Sequence, residues 1–179
     1  MTSRELSLSA FFAAILSVSA LISIPLGSIS FTLQSFVVMV MGLILTRKIA
    51  MASILTYLFL GIIGLPVFSS GRAGLMVLFG PTGGYLVGFV FALYFMTSIS
   101  IKGFIQKFLL TILAGIWIVY TAGVFGLMWT LKMSFMEAIT VGVIPFITFD
   151  LIKAYLAVLL SEKLGDKLKH SIANTLTRK

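Results

Sequence analysis

Charge is nearly absent from most of this chain, in stretches approaching the length a bilayer core requires. Six of them stand out: Leu6–Ile24, Phe31–Leu45, Ala50–Gly64, Gly80–Thr97, Phe104–Met128 and Val141–Leu160. Lipid offers no hydrogen bonds to an exposed peptide group, so such a segment must satisfy its own backbone, and for successive apolar runs that means α-helices. A spanning helix needs about 20 apolar residues. The second and third runs are short for this, and they either tilt less or lie where the protein thins the bilayer. Arg47–Lys48 separates them, because one longer helix would bury that basic pair in mid-membrane. Hydrophobic residues make up 60% of the 179-residue chain and charged residues 10%, against about 25% charged in soluble domains. The sequence therefore predicts an all-α integral membrane protein: a six-helix transmembrane bundle forming one membrane domain over 1–179, in which 161–179 is a basic C-terminal segment.

The formal net charge of +8 does not point to nucleic acid, because the basic residues cluster at helix ends and in the tail. With six spans both termini share one side. That side collects Arg4, Arg47, Lys48, Lys102, Lys107, Lys163, Lys167, Lys169, Arg178 and Lys179, and the other side holds Arg72 and Lys132. The positive-inside rule then places both termini in the cytoplasm, and the basic tail is suited to lie against anionic lipid. The N-terminus does not read as a signal peptide, since Arg4 is its only basic residue and no soluble domain follows. The chain has no cysteine and one histidine, His170, in the basic tail, so neither a disulfide framework nor a metal site is readable. Of the external connections, Pro25–Ser30 is expected to be a tight turn. Pro66–Phe79 is long, small and apolar, and is expected to fold back over the bundle. In Trp129–Thr140, Ser134-Phe135-Met136-Glu137 has the spacing of a capping box and predicts a short interfacial helix.

Inside the last apolar run stand Asp150 and Lys153. A charge at that depth costs at least about 2.5–3.5 kcal/mol, so such residues face a partner, a cavity or a substrate. Three positions apart on a helix, they are separated by about 60° around the axis and about 4.5 Å along it. They form either a ligand-binding dipole or a self-satisfied pair that locks helix packing. Arg72, between Gly71 and Gly74, offers a planar fork of donors for a carboxylate or phosphate. Alternatively it is an arginine snorkelling at headgroup level. Gln34 opens the second run and either faces a ligand or bonds across helices. Gly80-Pro81-Thr82-Gly83-Gly84-Tyr85 opens the fourth. There Pro81 suits a first helical turn, Thr82 supplies a hydroxyl and Tyr85 supplies a ring for a ligand or for the aromatic belt. Gly84 and Gly88 have the spacing for close helix contact, and so do Ala10 and Ala14 in the first run. No nucleophile–base pair and no nucleotide-binding motif is present, so the chain has no ATP motor of its own.

Four segments together resemble the BioY family, the biotin-specific substrate-binding (S) components of energy-coupling factor (ECF) transporters. They are Gly64-Leu65-Pro66-Val67-Phe68-Ser69, Gly71-Arg72-Ala73-Gly74, Gly80-Pro81-Thr82-Gly83-Gly84-Tyr85-Leu86, and Pro145-Phe146 ahead of Asp150-Leu151-Ile152-Lys153. The resemblance runs from the first helix to the sixth. It implies a bacterial cell-membrane protein that captures biotin from outside and has no enzymatic activity and no cofactor of its own. Asp150 and Lys153 are then expected near the ureido end of biotin. Arg72 is expected to meet the valerate carboxylate from a loop covering the pocket, with Gln34, Tyr85 and Thr82 as further ligand-binding residues. Ala10 and Ala14 resemble the stripe by which S components dock on a transmembrane scaffold subunit, which carries two ATPase subunits. Three other readings remain open: an S component for another vitamin, an intramembrane enzyme using Asp150 as acid or base, and a structural subunit whose charged pair only fixes packing.

Overall fold

The computed structural model describes residues 1–27 and 29–176, with side chains for all of these except Leu26 and 165–176. The expected basic C-terminal segment thus lies partly outside the described residues. Helix α1, Ser3–Leu21, starts at a capping box in which Thr2 and Glu5 satisfy each other's backbone N–H groups. Glu5 also pairs with Lys48 at 2.9 Å, which ties α1 to the first turn of α3. Two strands come next, β1 (Ser23–Leu26) and β2 (Ile29–Thr32), paired antiparallel with Ser23 opposite Thr32. Then come α2 (Gln34–Ile44) and α3 (Arg47–Ile62). The connection to α4 (Gly83–Ser98) contains two 3-10 turns, Ser69–Gly71 and Leu75–Val77. Helix α5 runs over Phe104–Leu131. The short α6 (Phe135–Gly142) and the long α7 (Ile144–Leu176) complete the chain.

The structure corrects three expectations. The described residues form seven helices, counting the expected short helix after Ser134, and a two-stranded hairpin stands where an all-helical chain was expected. Pro25–Ser30 is part of this hairpin rather than a simple turn, and Phe31 belongs to β2, so α2 begins at Gln34. An apolar run such as Ser23–Thr32 reads equally as helix or strand until its pairing is known. Pro25 and the positive φ of Gly27 (73°) favour the extended, turned path. Pro81 lies ahead of the helix cap Thr82 rather than in the first turn of α4. The capping box at Ser134 and Glu137 is present, with the Ser134 backbone N–H and hydroxyl holding the Glu137 carboxyl below its ordinary range.

Among the described residues, three helices are long and apolar enough to cross a membrane: Ser3–Leu21, Phe104–Leu131 and Ile144–Leu164. The 11 residues of α2 extend only about 16 Å at the ordinary helical rise. Large apolar side chains point outward along the bundle, among them Phe11, Phe59, Phe91, Leu113 and Phe125. Polar groups such as Gln34, Thr82, Asp150 and Lys153 are buried inside. This arrangement, opposite to that of a water-soluble protein, is what lipid as solvent requires.

Helix pairs approach closely where side chains are missing. A Cβ on Gly84 would overlap the Ala122 carbonyl oxygen and reach 3.0 Å from Gly126 Cα, and one on Gly88 would reach 2.8 Å from Val119 Cα. The small-residue spacing read from the sequence is therefore the seam between α4 and α5. Within α5, residues Thr111–Ile118 are π-helical.

Candidate functional site

A cavity opens among β2, the first turns of α2 and α4, the middle of α5 and the first half of α7. Its empty volume is about 620 Å³, open solvent included. Its polar wall is Thr32, Gln34, Ser35, Ser69, Thr82, Tyr120, Asp150 and Lys153. Phe31, Phe68, Leu86, Phe89, Val119 and Phe146 supply much of the rest.

Asp150 and Lys153 form an ion pair at 2.9 Å and are each about 6% exposed. On an apolar helix these two charges are tolerable only because every contact is charge-assisted and short. Asp150 Oδ1 accepts from Lys153 Nζ and from Ser35 Oγ, both at 2.9 Å, and Oδ2 accepts from the Tyr120 hydroxyl at 2.7 Å. Lys153 Nζ also donates to the Thr32 carbonyl (2.8 Å) and to Ser35 Oγ (3.0 Å), and it lies 3.9 Å from the centre of the Phe31 ring. Phe31 in turn lies parallel to Phe146, with centroids 6.5 Å apart.

Four elements thus converge on one charged pair: β2, α2, α5 and α7. The hairpin places Thr32 and Phe31 on Lys153, and Ser35 meets Asp150 from the first turn of α2. Gln34 lines the cavity and also bonds across the bundle, its Nε2 donating to the buried Tyr57 hydroxyl at 2.6 Å. The cross-helix bond read from the sequence is therefore present, on a residue that also lines the cavity.

Beside the cavity, Arg72 Nε donates to the Ser69 carbonyl (3.1 Å), and Nη2 donates to Ser69 Oγ (2.8 Å) and Thr82 Oγ1 (3.4 Å). Arg72 does not line the cavity, but both its side-chain partners do. Ser70 takes a left-handed conformation (φ 59°), and its hydroxyl lies 3.4 Å from that of Ser23 and 3.1 Å from that of Ser30. The loop and the hairpin therefore meet at Ser70. Tyr85 contributes a ring to the wall, while its hydroxyl is engaged with the Gly142 carbonyl at 2.8 Å. Gly123 and Gly142 make room for that side chain. Ala10 and Ala14 are exposed on α1 and take no part in the cavity.

Sequence reasoning missed Ser35, Thr32 and above all Tyr120. The available signal for Tyr120 was its depth, since a tyrosine in the middle of a spanning run is displaced from the interfacial belts where tyrosines collect.

Fold and cavity define a multi-pass membrane protein built around a small-molecule pocket. The sequence profile of the BioY family matches residues 1–170. A biotin transporter BioY from Thermotoga maritima is 40% identical over 162 residues, covering 90% of this chain and 95% of that protein. A probable biotin transporter BioY from Pyrococcus horikoshii is 40% identical over 165 residues, covering 92% and 98%. The chain belongs to the BioY family. A crystal structure of the S-component for biotin from an ECF-type ABC transporter superposes with a TM-score of 0.82 at 26% identity, covering 92% of this chain and 94% of that one.

Proposed function

We propose that this chain captures biotin from the external side and delivers it into the cell as the substrate-specificity subunit of an ECF-type ABC transporter. Relatives named as biotin transporters and a solved S-component for biotin support the reading. The observation that carries it is a buried, hydrogen-bonded charge pair set in the wall of an otherwise largely apolar cavity. A ligand with a flat polar head and an apolar body matches such a wall.

In this reading Asp150 accepts a ureido N–H. Lys153 serves mainly as the counter-ion of Asp150, because its three protons are already engaged. Gln34, Thr82 and the Tyr85 ring line the bicyclic body. Arg72 meets the valerate carboxylate at the mouth, under the loop that caps the pocket. No cofactor takes part. The chain acts as one membrane domain in a bacterial cell membrane, in contact with lipid and not with nucleic acid. Six crossings, with both termini cytoplasmic, accord with the ten-to-two distribution of basic residues. In this topology α6 is interfacial and the short α2 is extended by β2. Ala10 and Ala14 face the scaffold subunit, which brings two ATPase subunits.

Calorimetric titration of the detergent-purified protein with biotin tests this. The expected result is tight one-to-one binding that weakens about 100-fold in a folded Asp150→Asn variant. Folded wild-type protein giving no heat would sink the biotin assignment, and native mass spectrometry would then identify any other vitamin carried through purification.

A further inference from the structure

We propose that Tyr120 is a specificity-determining positioning residue whose hydroxyl leaves Asp150 a single acceptor position for one ligand N–H. This deepens the biotin reading and rests on it. A carboxylate offers about four acceptor positions. On Asp150, Lys153 and Ser35 occupy both positions of Oδ1, and Tyr120 occupies one of Oδ2 at 2.7 Å. One position remains, on a residue that lines the cavity. Lys153 has no proton to spare, since its three go to Thr32, Ser35 and Asp150. Gln34 also lines the cavity, and its Nε2 spends one of its two protons on Tyr57. A ligand head with one N–H for Asp150 and a neighbouring carbonyl is complementary to this arrangement. A head that presents only donors is not, because it would leave N–H groups buried without acceptors.

The position of Tyr120 is itself produced by an irregularity. Tyr120 lies just beyond the π-helical residues Thr111–Ile118, and a π turn holds one more residue than an α turn. Each added residue rotates the remainder of the helix by about 100° relative to a regular α-helix. Gly115 makes room for this stretch, since a Cβ there would come within 3.0 Å of Met39 Cγ. The π register thus sets which residue of α5 faces Asp150 on α7.

The test compares biotin with 2-iminobiotin at neutral pH, where a protonated cyclic guanidine replaces the urea and presents a donor in place of the carbonyl acceptor. Calorimetry on wild type and Tyr120→Phe gives the ratio of the two affinities. Wild type is expected to favour biotin strongly. Tyr120→Phe frees the second position on Oδ2, so the preference for biotin should fall by about tenfold or more. Tyr120→Gln restores a donor there and should return the ratio toward wild type, and it also serves as a reference if the phenylalanine variant folds poorly. A ratio unchanged in Tyr120→Phe, whether both ligands weaken alike or neither does, overturns this inference and leaves the biotin reading standing. Wild-type protein that binds no biotin overturns both.

Discussion

The α4–α5 seam and the Asp150 cavity lie side by side and solve opposite problems. At the seam, Gly84, Gly88 and Gly126 bring backbone against backbone by giving up side chains. At the cavity, seven polar residues from five elements hold one another's hydrogen bonds. Lipid explains both solutions. Without water to expel, helices associate through close packing, and each buried polar group must find a partner inside the protein. The seam is therefore predicted to govern folding and the cavity to govern affinity.

The strongest test of that division is Gly84→Leu. Its new side chain meets backbone, which cannot move aside as a flexible side chain can, so a loss of about 10 °C or more in Tm is expected. Biotin affinity of the remaining folded fraction should be unchanged, and a fall in affinity equal to that of a cavity variant would erase the distinction. Asp150→Asn should act in the opposite sense, lowering affinity by about 100-fold, with fluorescence-detected size exclusion reporting intact protein. If it aggregates instead, the pair is chiefly a folding element. Arg72→Ala should weaken biotin by about tenfold and leave its neutral methyl ester unaffected. Equal weakening of both ligands would place Arg72 in loop structure alone. The smallest effect belongs to Ser134→Ala, far from both regions. Loss of the α6 cap should lower Tm by about 2–4 °C with no change in binding.

Much of the fold is legible in the sequence, and the unread parts share a cause. Apolar runs located the helices, Arg47–Lys48 separated α2 from α3, and the Ser134–Glu137 spacing announced α6. Each of these signals is local. Asp150 and Lys153 were conspicuous because a charge in lipid needs a reason. The hairpin was missed because an apolar strand and an apolar helix have the same composition, and only pairing of Ser23 with Thr32 distinguishes them. The π stretch was missed because its register depends on Gly115 against Met39, a contact between distant segments. Tyr120 and Ser35 went unnamed for the same reason, since their roles arise only where α5 and α2 meet α7.

The Asp150–Lys153 pair has an electrical consequence as well. Moving one elementary charge through a potential of 100 mV takes about 2.3 kcal/mol. A site that loads on one face of a membrane and empties on the other exposes its fixed charges to that work. Asp150 and Lys153 sum to zero within 2.9 Å, so the potential acts on them only as a short dipole. In the proposed complex Arg72 and the valerate carboxylate cancel in the same way. The loaded site is then neutral at both ends, and membrane voltage neither drives nor hinders its passage.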